Sequence, residues 1–328
     1  MFTRRRLAVG LAVLAALLVA DYHLYPRWAG IGGVSLNTGE NGLWLRHSWY
    51  TGQRSDADVR ELARALRDRQ IRYAFFHVRH IATDGTLRYR HADTSRRLVA
   101  TLHEEAPSVE AIAWAYAGEL FGEGEVDLSS PVVREAMVGE ASWLVEECDF
   151  DGVQWDYEVC HDGNPYFLQL MRQTREALPD DQLLSAAVPL WVPPGFRRWG
   201  WSDDYFAQVA ATCDQLAVMC YDSAQYLPRS YVWLVRQQAV HVTQAVARGN
   251  PNCRVLLGVP TYGDEGSLPS HRAHAENIRL ALKGVREGLA DSRADRSVFA
   301  GVAVFADYTT ESEEWDLYQR LWLDAAPP

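Results

Sequence analysis

One short stretch near the middle of the chain, DFDGVQWDYEVC at residues 149–160, combines an apolar strand pattern with regularly spaced polar side chains. Successive strand residues point to opposite faces, so Gln154, Asp156 and Glu158 share one face and the apolar residues between them share the other. Two carboxylates inside a sheet cost several kcal/mol unless they are paired, hydrogen-bonded or open to a pocket. At the C-terminal end of a strand, such a pair indicates general acid catalysis.

Two other interpretations of these carboxylates stay open at the level of the sequence. The first is an ion pair or hydrogen-bond network that merely fills the interior of the protein. The second is a metal site, although its candidate ligands alternate between the two faces of the strand and no second histidine stands at ligand spacing. The candidate ligands are Asp151, Asp156, Glu158, His161 and Asp162.

The elements that must position these residues follow from the alternation of short apolar runs with longer amphipathic ones after Trp28. This pattern predicts a single (β/α)8 barrel over residues 30–328, with the active face at the C-terminal ends of the strands. A doubly wound sheet is the alternative, but the segment SWYTGQ after the first strand lacks the glycine spacing of a dinucleotide turn. The eight strand candidates are residues 43–49, 71–78, 109–118, 150–158, 183–191, 213–222, 253–263 and 299–308.

Residues 1–29 have the layout of an export signal or a membrane anchor and are excluded from the barrel. Three arginines, Arg4 to Arg6, precede an uncharged run from Leu7 to Ala20. This run is short for a spanning helix of about 20 residues, although the aromatic residues that follow it could extend it. The protein is therefore expected to be exported to the cell envelope, either tethered to the membrane through residues 7–20 or secreted after cleavage.

The net charge limits the classes of binding partner, and the number of cysteines limits the disulfide bonds that can form. The net charge of −11 argues against a nucleic-acid partner, which would require clustered Lys and Arg. The five cysteines leave at least one thiol unpaired, so they form no complete disulfide framework. Cys213 and Cys253 each precede an apolar strand by the same short interval, which suggests a disulfide between them at the bottom of the sheet.

The strand at 150–158 resembles the signature of glycoside hydrolase family 18, the chitinases and related endo-N-acetylglucosaminidases. That signature is Asp-Gly-x-Asp-x-Asp-x-Glu, and Asp151, Gly152, Asp156 and Glu158 occupy matching positions, whereas Gln154 departs from it. The remaining matches are shorter and follow in chain order. IRYAFFHV, LLSAAVP, the Met-Cys-Tyr-Asp of residues 219–222 and LLGVPTYG are similar to the second, fifth, sixth and seventh strands of the family.

Three features depart from the family pattern. The third strand, AIAWAYAGEL, lacks the Gly-Gly pair of the family, and the eighth offers Phe305 where the family usually has a tryptophan under the sugar. The segment GDEGSLPSHRAH after the seventh strand is too short for the α+β insertion that deepens the cleft in many chitinases. We therefore expect a barrel without a large insertion and a shallow substrate groove.

The resemblance implies an exported hydrolase of β-linked N-acetylglucosamine glycans, such as chitin or peptidoglycan, that needs no cofactor and acts as a monomer. In this family the substrate's own N-acetyl group is the nucleophile, so one protein acid suffices. Glu158 would protonate the glycosidic oxygen, and Asp156 would orient the acetamide. Tyr221 would hydrogen-bond the acetamide oxygen, and Asp222 would contact the sugar.

Further residues are expected to bind substrate alongside Asp222. Gln154 is predicted to donate a hydrogen bond to Asp156, and the loop WVPPGFRRWGW after strand five is predicted to place Trp191, Trp199 and Trp201 on the catalytic face. The expected substrate-binding residues are Gln154, Met219, Tyr262, Phe305 and Trp191.

The main alternative is a chitinase-like carbohydrate-binding protein that keeps the barrel but has lost turnover. Loss of the catalytic acid is the usual route to such proteins, and Glu158 is present here. An inert anchored barrel with a structural role in the envelope is a third hypothesis. The presence of the acid favours the enzyme.

Overall fold

Eight parallel strands, hydrogen-bonded in the order β1 to β8, close into a barrel, which confirms the predicted (β/α)8 fold. The structure is a computed structural model and describes residues 2–33, 36–118, 126–158, 160–264 and 269–324. The strands are β1 Asn41–Leu45, β2 Ile71–His80, β3 Glu110–Ala117, β4 Gly152–Tyr157, β5 Leu183–Val188, β6 Gln215–Val218, β7 Arg254–Pro260 and β8 Phe299–Phe305.

Helix α1 precedes the barrel, and the helices from α2 onwards alternate with the strands and cover the outside of the barrel. They are α1 Phe2–Trp28, α2 Asp56–Asp68, α3 Ala92–Glu105, α4 Pro131–Glu146, α5 Pro165–Ala177, α6 Asp203–Ala210, α7 Pro228–Gly249, α8 Ile278–Leu289 and α9 Ser312–Tyr318, and α9 continues into a π-helical turn, Gln319–Leu323. Because β7 ends at Pro260 and α8 begins at Ile278, the connection after β7 is too short for a large inserted domain.

The helix starts follow local sequence signals. Ser55 and Asp58 form a reciprocal capping box at the start of α2, and Pro131 occupies the first turn of α4. The Asn164 side chain accepts hydrogen bonds from the first backbone N–H groups of α5. These contacts satisfy N–H groups that a helix start otherwise leaves without partners.

The apolar side of β4 packs against the surrounding helices, which confirms the orientation predicted for this strand. Val153 and Trp155 are fully buried, and the Trp155 indole donates a 3.1 Å hydrogen bond to Thr174 on α5. The polar side of the strand therefore points into the barrel. A smaller apolar cluster fills that interior and is rich in aromatic residues, among them Trp44, Phe75 and Trp114.

The cysteine prediction is wrong in its covalent part. Cys213 and Cys253 do come together, since the Cys213 thiol contacts that of Cys253 and contributes to raising the pKa of Cys253. All five cysteines are nevertheless free and buried. The two thiols meet as unoxidised neighbours in the core.

Helix α1 contains a segment, Ala8–Trp28, that is long and apolar enough to cross a membrane by length and composition. The most apolar 18-residue stretch of this segment has no residue buried against the rest of the protein, whereas its last turns contact the barrel. A signal sequence satisfies the same test, so the choice between an export signal and an anchor rests on other evidence.

Gly152 is expected to be intolerant of any side chain, because a Cβ at this position would lie 2.1 Å from the carbonyl oxygen of Leu183 on β5. Gly152→Ala should lower the free energy of unfolding by about 1–3 kcal/mol through overpacking. Chemical denaturation of the full chain in detergent would measure the change.

The matched control is Gly139→Ala in α4, where a Cβ would meet nothing within 4 Å. This replacement should raise the free energy of unfolding by about 0.5–1 kcal/mol, because alanine restricts the unfolded chain and favours helix. Equal effects of the two replacements would contradict the packing argument.

Candidate active site

The two carboxylates of the polar strand lie at the mouth of the barrel, beside a cavity of about 210 Å³. Asp156 is the fifth residue of β4, and Glu158 follows its last residue. Aromatic side chains form most of the cavity wall. The cavity is lined by Trp44, His77, Trp114, Tyr116, Asp156, Glu158, Ala187, Met219, Tyr221, Asp222, Phe305 and Tyr308.

Asp156 is held by one hydrogen bond and keeps one oxygen free. The Trp114 indole N–H donates to Asp156 Oδ2 at 2.8 Å, whereas Oδ1 is buried without a partner. Burial raises the pKa of Asp156, and the Trp114 bond opposes this by stabilising the charged form. The unpartnered Oδ1 is an acceptor that a ligand N–H can satisfy.

Glu158 is largely enclosed, and its environment favours the protonated form. Burial raises the pKa of Glu158, and the negative charges of Asp156 and Asp222 raise it further. A carboxyl that retains its proton near neutral pH can act as a general acid. Because Asp156 and Glu158 interact strongly, they titrate as a pair.

Tyr221 stands in the aromatic wall opposite these carboxyls. Its ring stacks on Phe305, with 4.8 Å between ring centroids, and meets Trp44 and Tyr262 edge-on. Burial raises the pKa of Tyr221 well above its ordinary value. The hydroxyl therefore stays neutral and can donate a hydrogen bond.

Asp222 borders a buried polar cluster formed by the loops after β6 and β7. A carboxylate oxygen of Asp222, a ring nitrogen of His271 and a carboxylate oxygen of Glu276 lie within 4.8 Å of one another. His271 Nε2 lies 3.1 Å from the Tyr262 carbonyl oxygen, and Nδ1 lies 3.2 Å from Glu276 Oε2. Both ring nitrogens thus face protein atoms, and the cluster ties the two loops together.

Asp222 itself combines an unusual backbone with a buried carboxyl group. Its φ of 52° lies in the left-handed region, which aspartate tolerates better than most residues. Burial raises its pKa, and its Oδ1 has no hydrogen-bond partner. Its side chain lines the cavity and also contacts the Tyr262 side chain, which opposes the rise of the Asp222 pKa.

The structure overturns the predicted role of Gln154. Its side chain is completely buried below the cavity, where Oε1 accepts from the Trp44 indole at 2.8 Å and Nε2 donates to Ser185 Oγ at 3.0 Å. The predicted hydrogen bond from Gln154 to Asp156 is not formed. Ser185 Oγ in turn donates to Gln215 Oε1, so Gln154 belongs to a neutral polar chain beneath the site.

The loop after β5 also differs from the prediction. Trp191 is buried and stacks on His241 at 3.7 Å between ring centroids, away from the cavity, and Trp201 donates to the Cys160 carbonyl oxygen in the core. Trp199 alone of the three is exposed. Two of these tryptophans therefore anchor the loop, and the expected contact between Trp191 and substrate has no support in the geometry.

The other expected site residues are brought together. Asp156, Glu158, Met219, Tyr221, Asp222 and Phe305 line the cavity. Tyr262 lies one layer behind it, packed edge-on against Tyr221 and Phe305. The five candidate metal ligands of the sequence analysis do not converge, because Asp151 lies at the opposite end of β4, where its Oδ2 accepts from the Ala111 N–H and contacts His103.

Several residues of the site were missed by the sequence analysis. Trp114 and Tyr116 alternate on β3 as Gln154 and Asp156 do on β4, a signal that could have placed them in the barrel interior. His77 stacks on Trp114, and burial lowers the pKa of His77 to about 3, so it is a neutral wall residue. The sequence analysis also missed Trp44, Tyr308, His271 and Glu276.

No family model and no curated protein matches this sequence. Solved structures match its fold. The spore cortex-lytic enzyme SleL of Bacillus cereus is 11% identical, with a TM-score of 0.60 over 86% of this chain and 74% of that one. The Group IV chitinase of Ostrinia furnacalis is 13% identical, with a TM-score of 0.59 over 87% and 99% of the two chains.

A chitinase from Bacteroides thetaiotaomicron gives a similar result, with 16% identity and a TM-score of 0.55 over 87% of this chain and 97% of that one. At identities this low, the likeness is one of fold. The comparisons therefore agree with the closed eight-stranded barrel described above.

The raised pKa of Glu158 predicts how replacing this residue changes the pH dependence of the free energy of unfolding. Because the pKa is higher in the folded than in the unfolded chain, the folded protein loses stability as pH rises from about 4 through the folded pKa. Glu158→Gln removes this loss, so its gain in melting temperature over the wild type should be larger at about pH 9 than at about pH 5.

Thermal unfolding of both proteins at the two pH values measures the difference, and each kcal/mol should shift the midpoint by about 2 °C in a protein of this size. Glu146→Gln, on the exposed face of α4, is the matched control and should show no such change with pH. A gain for Glu158→Gln that is independent of pH would contradict the argument.

Gln154→Glu tests the neutral chain beneath the site. Glutamate preserves the shape of the side chain and its acceptor for Trp44, but it loses the N–H that donates to Ser185 and adds a buried charge. The free energy of unfolding should fall by on the order of 3 kcal/mol at neutral pH and less at acid pH, where the carboxyl is protonated. A fall that does not depend on pH would contradict a buried charge as the cause.

Proposed function

We propose that this protein is an exported glycoside hydrolase that cleaves β-linked N-acetylglucosamine glycans of the chitin or peptidoglycan type. The observation that carries the proposal is the convergence of Asp156, Glu158 and Tyr221 around one aromatic-walled cavity. Aromatic faces suit the apolar faces of sugar rings, and the unpartnered oxygens of the two aspartates suit polar substituents.

Two further observations support the same substrate class. The sequence resembles glycoside hydrolase family 18 on the strands that build the cavity, most strongly on β4 and on residues 219–222. Structures that share the fold include chitinases and a spore cortex-lytic enzyme. The resemblance and the shared fold both support glycans that contain N-acetylglucosamine as the proposed substrate class.

The proposed reaction proceeds in two steps with retention of configuration. In the first, the acetamide oxygen of the substrate bonds to the anomeric carbon while the bond to the glycosidic oxygen breaks, and Glu158 gives its proton to that leaving oxygen. In the second, water adds to the anomeric carbon, the bond to the acetamide oxygen breaks, and Glu158 takes a proton from the water. The enzyme ends in its starting protonation state.

Asp156 and Tyr221 handle the acetamide in this scheme. The free Oδ1 of Asp156 accepts the acetamide N–H, and the carboxylate stabilises the positive charge of the cyclic intermediate. The neutral Tyr221 hydroxyl donates to the acetamide oxygen and orients it for attack. Trp114 holds Asp156 in place for this role through its 2.8 Å hydrogen bond.

The size of the cavity limits how much substrate it encloses. About 210 Å³ is below the range of roughly 300–1,000 Å³ that is common for ligand pockets. The cavity therefore suits one sugar residue with its acetamido group, and the rest of the glycan lies along an open groove. This agrees with the short connection after β7 and argues against processive cleavage.

Glu158→Gln should lower the release of reducing ends from chitooligosaccharides or peptidoglycan by at least about 10²-fold, because the general acid is lost. Asp156→Asn should also reduce turnover, while Glu146→Gln on the exposed face of α4 should leave it unchanged. The measurement is the rate of reducing-end formation by the full chain, with glycan affinity determined in parallel.

Binding without any turnover by the wild type would favour the carbohydrate-binding alternative. Turnover that survives Glu158→Gln would contradict the proposed role of Glu158. Retained affinity in Glu158→Gln, together with lost turnover, is the result expected of an enzyme whose acid acts on the bound glycan.

A further inference from the structure

Helix α1 exposes apolar side chains on all sides over the segment that precedes Asp21. A helix that is apolar all round needs an apolar environment, and this one has no protein around it. Three arginines at its start and aromatic residues at its end match the flanks of a membrane-inserted helix. The side chains that are more than half exposed are Val9, Leu11, Val13, Leu14, Leu17, Leu18 and Val19.

The end of α1 is bound to the barrel by specific contacts. Asp21 forms two hydrogen bonds with Arg229, at 2.7 and 2.6 Å, and the Arg229 guanidinium lies 4.1 Å from the ring centroid of Tyr25. The Tyr22 ring packs on His274, whose Nε2 lies 2.8 Å from the Tyr22 carbonyl oxygen. These contacts would be lost if residues 21–30 were removed with a leader.

The order of these contacts gives the direction of the chain along the barrel. Arg229 lies at the start of α7 and His274 lies in the loop just before α8, and both positions are at the catalytic face because each helix follows its strand. Further along the chain, Arg279 donates to the carbonyl oxygens of Pro26 and Ala29. One turn further down α8, Lys283 donates to the Gly30 carbonyl oxygen.

The chain therefore passes down the side of the barrel from its catalytic face, and α1 leaves the barrel at the rim of that face. An apolar helix inserted in a bilayer from this point puts the lipid on the same side as the active-site mouth. The short uncharged run strengthens this conclusion. Because the last part of the apolar segment is bound to the barrel, the 14 residues from Leu7 to Ala20 are the ones that enter the bilayer. As a helix they span about 21 Å, less than the roughly 30 Å of a bilayer core, which favours a position of the rim close to the lipid.

Two loops of the catalytic face, one of which leads into α7 beside this exit point, carry exposed aromatic and apolar residues, here called the membrane rim: Phe196, Trp199, Tyr226 and Leu227. Phe196 and Trp199 lie in the loop after β5, and Tyr226 and Leu227 lie in the loop after β6 that leads into α7. All four are about half exposed or more. Such residues are enriched at membrane interfaces.

The loop after β5 also carries two exposed arginines, Arg197 and Arg198, between its aromatic residues. Arg197 lies 3.8 Å from Asp162, so the positive charge that this loop offers to anionic lipid headgroups comes mainly from Arg198. The membrane rim is thus an interfacial surface with apolar and cationic parts on one loop.

We propose that α1 is a retained anchor that holds the catalytic face against the bilayer, with the membrane rim in the headgroup layer. The substrate is then an N-acetylglucosamine glycan that is attached to lipid or lies at the membrane surface. This statement about the substrate rests on the proposed function. The anchor and its orientation stand on geometry alone and do not depend on catalysis.

Site-specific fluorescence in vesicles tests the orientation. The native cysteines are all buried, so a single added cysteine can be labelled selectively with an environment-sensitive fluorophore. Trp199→Cys and Tyr226→Cys report on the membrane rim, and Asn252→Cys, in the exposed turn before β7, reports on the opposite end of the barrel. Each full-length variant is reconstituted in vesicles of phosphatidylethanolamine and phosphatidylglycerol.

Labels at 199 and 226 should shift to the blue and be shielded from aqueous iodide, whereas the label at 252 should behave as in water. Equal exposure of all three labels to iodide would overturn the proposed orientation. Mass spectrometry of the exported protein should find residues 7–30 present, and cleavage at any point between residues 7 and 30, after Ala20 included, would overturn the retained anchor.

A pair of substrates tests whether the enzyme prefers a glycan that is held at the membrane. The same N-acetylglucosamine oligosaccharide is offered free in solution and attached to a long-chain lipid in the vesicles. The attached form should be cleaved with at least about 10²-fold higher kcat/KM, because tethering raises its effective concentration at the mouth. Leu227→Ser should reduce this preference and leave cleavage of the free oligosaccharide unchanged.

Equal kcat/KM for the two forms would overturn the membrane-bound substrate while leaving the proposed function intact. If neither form is cleaved, the proposed function is refuted, and so is the proposal of a membrane-bound substrate. The fluorescence result decides the orientation in either case.

Discussion

The burial of two carboxyl groups in one cavity is the constraint on which the rest of this structure depends. Asp156 and Glu158 sit where water is largely excluded, and each raises the cost of ionising the other. The pair therefore favours at least one bound proton, which general acid chemistry requires. The Trp114 hydrogen bond gives the two carboxyls unequal environments, because it stabilises charge on Asp156.

The barrel surrounds this pair with hydrogen-bonded polar groups. Below the cavity, Gln154 links Trp44 to Ser185 without adding a charge. Beside it, His271 and Glu276 bring the loops after β6 and β7 together and thereby position Asp222. An aspartate at position 154 would add a third carboxyl group to the interior, so the glutamine at this position reduces the electrostatic cost of the site.

The proposed contact with the bilayer relates this chemistry to its surroundings. The same loops that frame the catalytic face carry the membrane rim, and the end of α1 is bound to the starts of α7 and α8 beside them. In the proposed orientation, the mouth of the active site faces the lipid and receives glycans from the membrane surface. A small cavity with an open groove suits this arrangement, because a tethered glycan needs no deep cleft to stay near the acid.

Much of the fold and part of the site could be predicted from the sequence. The eight strands, the inward direction of Asp156 and Glu158 and the apolar outer face of β4 follow from strand periodicity, which is a local property of the chain. The short connection after β7 likewise followed from chain length alone. Residues 219–222 were predicted to be site residues only through their resemblance to the Met-x-Tyr-Asp of glycoside hydrolase family 18.

The partners of these residues were decided only by the tertiary structure. Gln154 bonds to Trp44 and Ser185, Trp191 turns into the core, and Asp21 meets Arg229 across more than half of the chain. Local periodicity specifies the face on which a side chain lies, but not which distant element packs against that face. Closure of the barrel determines which elements pack together. The residues that meet in this way are far apart in the sequence, so no local pattern predicts their contact.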